Sequence, residues 1–245
     1  MNTTVASISA TGLMLSVVPA VLVFAIMWRW HANPGSAVIA MVRMLAQLLA
    51  IGYVLIYIFD SDHFGIIVAT LTVMLIAASA IAVRPVQVKN ARTYVNALAA
   101  ISIGGVPILA LVTQAVLDVE PWFSPRHAVP LAGMIFAGAM NAVSLAAERY
   151  EAESGRGVDH EQARRTAFEA ALIPTVNSLL AVGLVSLPGM MTGQILSGVS
   201  PLVAAKYQIV VMAMLFGATG IAAALFLTLT GRIAITPGKT DRESA

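Results

Sequence analysis

Seven apolar runs, each about the length of a bilayer crossing, follow one another through this chain with only short connections between them. A helix needs about 20 mostly apolar residues to span hydrocarbon. The runs that qualify are roughly 10–28, 37–59, 64–83, 94–117, 129–147, 171–197 and 207–230. Backbone amides in a bilayer must find partners within the protein, so each run is expected to be helical. The expected fold class is all-α: a polytopic membrane helix bundle of about seven transmembrane helices, forming a single domain over 1–245. Charged residues make up 11% of the chain, against about 25% in soluble domains. The basic residues are scattered among short connections, which argues against nucleic acid as a partner. With no cysteine, disulfides and thiolate metal sites are excluded.

Orientation follows from Lys and Arg in the connections. Arg29 lies in the first, Arg84, Lys89 and Arg92 in the third, and Arg149, Arg156, Arg164 and Arg165 in the fifth. Arg232, Lys239 and Arg242 follow the last run. The alternate set holds only Arg126 and Lys206. This alternation predicts an outside N-terminus and a cytosolic C-terminus, with 233–245 as a flexible cytosolic tail. No positive residue precedes Arg29, so the chain is expected to begin directly with a span rather than a cleaved signal. Trp28, Trp30, Trp122 and Tyr150 fall near span ends, as interfacial aromatics do.

Glu148–Glu169 holds ten Asp, Glu, Lys and Arg residues and is the only substantial soluble element. SGRGVD reads as a turn, and Glu161–Ala171 as an amphipathic helix leading into the sixth run. The segment is either a solvated linker or a docking platform for a cytosolic partner. Asp159, Glu161, Arg164 and Arg165 are its candidate contacts.

Polar residues inside the runs are the candidates for a pathway. Arg43 is the only ionisable residue deep within a span, with Gln47 one turn later on the same face. It either faces the bundle interior or extends its head to the cytosolic surface. Asn141 and Ser144, and Asn177 and Ser178, are expected to bond between helices or to line a pathway. The most unusual stretch is LPGMMTGQILSG at 187–198. Pro188, Gly189 and Gly193 are expected to break the sixth helix. Met190, Met191, Thr192 and Gln194 are expected to pack or to line the pathway. Thioethers suit Cu(I) rather than hard ions, but methionine is also an ordinary packing residue, and no metal ligand is assigned. No Asp or Glu lies mid-span, which weakens an ion-coupled carrier. There is no GxxxxGK[ST] loop, no HExxH and no GxSxG, so no catalytic residue is assigned.

ALIPTVNSLLAVGLVSLPGMMTGQILSGVSPLVAAKYQIVVM at 171–212, MNAVSLAAER at 140–149 and RMLAQLLAIGYVLIYIF at 43–59 resemble the FetB-type family of iron-export ABC permeases, related to plant aluminium-sensitivity permeases. The resemblance covers most of the chain. It implies a permease of the bacterial inner membrane, paired with a separate ATP-binding subunit, two copies of each. ATP and Mg would be bound in that partner, and this chain would carry no cofactor. It implies ATP-driven export, with iron as the proposed cargo. The interval Arg149–Ala171 is shorter than in the family pattern and lacks its Glu…Leu-Gly-Ala stretch, leaving GVDHEQARR to contact the ATPase. The rival readings are an ATPase-independent channel or carrier, and a membrane scaffold.

Overall fold

A computed structural model describes residues 9–59, 63–87, 90–121 and 123–234. The expected tail from 235 onward, Trp122, Asp60, Asp62 and Lys89 lie outside these. The described chain is helical: α1 (Ala10–Arg29), α2 (Pro34–Phe59), α3 (Phe64–Ala82), α4 (Ala91–Ala110), α5 (Pro125–Gly155), α6 (His160–Ala181), α7 (Gly189–Leu196) and α8 (Pro201–Ala234). A π-helical turn, Leu111–Val116, extends α4. Six helices are long and apolar enough to cross a membrane: α1, α2, α3, α4 with its extension, α5 and α8. The chain forms two compact units, residues 1–61 and 62–245. The smaller contains α1 and α2, which contact each other; Trp28 and Trp30 are exposed there.

In the larger unit the helices run in alternating directions. Phe64 at the start of α3 meets Phe123, just before α5, with ring centroids 5.8 Å apart. At the opposite end, the Gln87 amide after α3 donates to the Glu151 carboxylate of α5 at 3.0 Å. The start of α6 then meets the end of α8, where a Cβ on Gly231 would overlap the His160 ring. Arg84, Arg92, Arg149, Arg156, Arg164 and Arg165 thus gather towards one end, and Arg126 and Lys206 lie towards the other.

The sixth apolar run departs from expectation. It is not one long helix bent at Pro188 but two helices, α6 and α7, separated by residues 182–188. The break comes before the proline. Gly183 takes φ +82°, a conformation a Cβ disfavours, and the Ala181 carbonyl collects the amides of Leu184, Val185 and Ser186. Val182 donates to Ser178, and Gly183 to the Ser186 carbonyl. Every amide from Val182 to Ser186 therefore has a backbone partner, which a break inside hydrocarbon requires. Pro188 is the N-cap of α7 and Gly189 its first residue, while Gly193 lies within it. The uncharged part of α6, 170–181, is about 18 Å long and α7 about 12 Å. Together they match the roughly 30 Å of hydrocarbon. Neither piece alone is among the helices of spanning length.

Nor is 148–169 a loop. The amphipathic helix expected from Glu161 is present as the first half of α6, but α5 also continues to Gly155, so only residues 156–159 are non-helical. Asp159 accepts the Glu161 amide at 3.0 Å as N-cap, which starts α6.

Small residues set the packing. Ala163, Ala167 and Ala171 of α6 are buried in one cluster with Ala142 and Ala146 of α5 and Ala223 of α8. Such stripes let membrane helices approach closely. Tyr150, expected at the interface, is instead 8% exposed and hydrogen-bonded to His160 Nδ1 at 2.7 Å. This pair, seated on Gly231, ties α5, α6 and α8 together. Gly231→Ala should displace the imidazole and break the bond, costing about 2 kcal/mol through overpacking and the lost partner. Tyr150→Phe should cost about 1 kcal/mol. Thermal melts in detergent should show the two effects to be non-additive, because both act through His160; additive losses would separate them.

Candidate functional site

The break opens a cavity of about 440 Å³ between α5, α6, α7 and α8. Its α5 wall is Met134, Gly138, Asn141, Ala142 and Leu145, spaced three and four apart on one helical face. On α6 the lining residues Ala171, Thr175, Ser178 and Val182 continue the buried Ala163–Ala167–Ala171 stripe. The α8 wall is Gln208, Val211, Met212, Leu215 and Thr219. Ser186, Pro188, Gly189 and Met190 close the cavity at the break.

The polar lining is neutral. Ser178 and Thr219 donate their hydroxyl protons to the carbonyls of Pro174 and Leu215, at 2.9 and 2.8 Å. Their oxygens remain able to accept. Gln208 is 6% exposed, and its Oε1 has no hydrogen-bond partner. A buried acceptor without a partner costs roughly 1–3 kcal/mol, so this oxygen is open to a water or a ligand in the cavity.

Of the residues singled out from sequence, Asn141, Ser178, Pro188, Gly189 and Met190 line this cavity. Ser144, Asn177, Met191, Thr192 and Gln194 do not. Asn177 sits one residue, and so about 100°, off the α6 stripe. Thr192 bonds the Pro188 carbonyl at 3.1 Å. Gln194 Oε1 is buried on α7 without a partner. Arg43 and Gln47 are exposed on α2 of the smaller unit. Glu161, Arg164 and Arg165 border a separate groove of about 360 Å³ beside Phe168, Ala224 and Thr228, and Arg165 also pairs with Glu169 at 3.0 Å. Sequence reasoning missed Gln208, Thr175, Met134 and Met212. The α6 residue was findable, because Ala163, Ala167, Ala171 and Thr175 repeat every four positions.

The profile of a family described as "Uncharacterised protein family (UPF0014)" matches residues 10–235. The chain belongs to the UPF0014 family. The match begins with the first residue of α1 and takes in all eight helices. A UPF0014 membrane protein of Synechocystis is 34% identical over 218 residues, covering 82% of this chain and 83% of its own. The Escherichia coli "Probable iron export permease protein FetB" is 34% identical over 207 residues, 78% of each chain. Arabidopsis thaliana "Protein ALUMINUM SENSITIVE 3" is 34% identical over 200 residues, 75% of this chain and 71% of its own. The resemblance read from 171–212, 140–149 and 43–59 is thereby borne out. No solved structure matches. As a UPF0014 protein with six apolar helices of spanning length, the chain is an integral membrane protein.

Proposed function

We propose that this UPF0014 chain is the membrane subunit of an ATP-driven exporter of a metal ion, with ATP and Mg bound by a separate subunit. The observation that carries the reading is the neutral polar cavity beside the break between α6 and α7, which we read as one interrupted membrane pass. Helices interrupted within the membrane recur where transporters bind their cargo. Iron enters only through the printed name of the Escherichia coli relative. The end rich in arginine is read as cytosolic, which leaves Arg126 and Lys206 outside; the membrane is read as a bacterial inner membrane from the resemblance. The working unit is read as two permeases with two ATPases.

The turn at 156–159 stands at the arginine-rich end and is the proposed contact for the ATPase. Glu153 behind it is 8% exposed and pairs with Arg149 at 2.7 Å and Arg156 at 3.3 Å. These pairs stiffen the end of α5, so force on the turn would reach the cavity wall at Asn141. Co-expression with a candidate ATP-binding subunit should yield a stable complex whose ATP hydrolysis rises when the permease is present. Arg156→Glu should lower that stimulation by about tenfold, the effect of losing one close charge contact at an interface. If no ATPase co-purifies and hydrolysis is never stimulated, coupled export is wrong for this chain. The alternative, an ATPase-independent carrier, would be revealed by transport into proteoliposomes without nucleotide.

A further inference from the structure

We infer that the cavity is a binding site for a soft, singly charged cation of the Cu(I) or Ag(I) class, held by the thioethers of Met134, Met190 and Met212. This inference rests on the transport reading only in taking the cavity to be the cargo site; it redirects the cargo away from hard ions.

Three observations lead to it. First, the methionines come from three different helices, α5, α7 and α8, and all line one cavity. The three residues thus approach one cavity from different helices. Second, Met134 and Met190 also border a smaller space of about 50 Å³ next to Arg126 and His127. Both side chains therefore flank the narrow partition between the main cavity and the end that carries Arg126. A cation leaving in that direction would pass between two thioethers. Third, the donor set has no charge. No Asp, Glu or His lines the main cavity, and no group of three or more such residues placed to hold a metal ion exists among the described residues. Hard di- and trivalent ions are held by anionic oxygen, whereas thioethers select soft ions. The cost of dehydration grows as the square of the charge, so a neutral cavity favours a monovalent ion over a divalent or trivalent one.

The unpartnered Oε1 of Gln208, on the same lining, supplies the remaining need. An amide oxygen is a neutral acceptor that can complete the shell of a cation without adding charge. Met191 is left out of the site, since it does not line the cavity.

The test uses the permease alone, in detergent, without ATPase or nucleotide. Ag(I) is the probe, because it needs no reductant. Calorimetric titration should show a specific Ag(I) site, and X-ray absorption at the silver edge should show sulfur neighbours. Leucine replaces methionine with little change of volume, so the triple variant Met134→Leu, Met190→Leu, Met212→Leu should keep the fold and lose about tenfold or more in affinity, some 1.4 kcal/mol. Met191→Leu should bind as the unaltered protein does. If the triple variant aggregates, Met190→Leu alone should still bind Ag(I) at least about twofold more weakly, the share of one ligand among three. Unchanged Ag(I) affinity in either variant, or displacement of Ag(I) by equimolar Fe(II), overturns the inference. Failure to couple to an ATPase would leave these results untouched. Conversely, an intact ATPase complex with no sulfur-bound silver would reject the soft-cation site and leave coupled transport standing.

Discussion

Gly104→Ala is expected to destabilise the larger unit by about 2 kcal/mol, although alanine is the better helix former. A Cβ built at Gly104 lies 2.9 Å from the backbone nitrogen of Ala222 and 3.1 Å from its Cα. Those atoms belong to α8 and cannot rotate away, so the helices must separate. Overpacking of this kind costs typically 1–3 kcal/mol, occasionally more. The propensity gain returns at most about 1 kcal/mol. The neighbouring Gly105 sharpens the comparison. Its Cβ would meet Ile135 Cγ2 at 2.9 Å and the Phe136 ring at 3.2 Å, both side chains with some freedom to shift. Gly105→Ala should therefore cost less than Gly104→Ala. Gly52, with nothing within 4 Å, should accept alanine at no cost. Melting temperatures in one detergent would rank the three, with Gly104→Ala lower by about 4–8 °C. An order that reversed Gly104 and Gly105 would mean that α4 and α8 are not in the described contact.

Long apolar runs were legible because length alone identifies them, and six of the seven correspond to helices of spanning length. The sixth was not legible in detail. Pro188 is the obvious breaker in the sequence, yet α6 ends where Gly183 enters the left-handed region. AVGLVSLP carries no polar signal to announce that turn. What decides it is local bonding to the Ala181 carbonyl, a property of three dimensions. The same limit applies to Asn177. It and Ser178 are both polar residues of this run, but register is set by the alanine stripe that α6 buries, and of the two only Ser178 lines the cavity. Tyr150 was misread for a related reason. Its place near a span end suggested an interface, while its actual surroundings come from His160, ten residues on and one turn away.

The charged segment between α5 and α6 shows the opposite balance. Its helical character was read correctly from Glu161 onward, because an amphipathic pattern is local. That α5 also runs on to Gly155 was missed, since charge density there looked like a linker. The consequence is mechanical. A four-residue turn between two helices joined by the Tyr150–His160 hydrogen bond transmits displacement better than a long loop would. The shortness that set this chain apart from the family pattern therefore does not by itself argue for lost coupling.

Gln208→Leu should separate stability from function, and with opposite signs. Gln208 Oε1 is buried without a protein partner, a state that costs roughly 1–3 kcal/mol. Leucine removes that cost and keeps the bulk, so the variant should melt higher, by about 2–6 °C. If the cavity carries cargo, the same change removes a buried lining acceptor that has no protein partner. Transport, or cargo-stimulated ATP hydrolysis, should then fall by about tenfold or more, the worth of one buried polar contact. Gln208→Asn, which keeps the amide but shortens it, should recover part of the activity and none of the stability. A purely structural glutamine would behave otherwise: its loss would leave transport unchanged or reduce stability and transport together. A variant that is both more stable and fully active would show that the cavity beside the broken pass is not the route, and the pathway would have to be sought elsewhere in the chain.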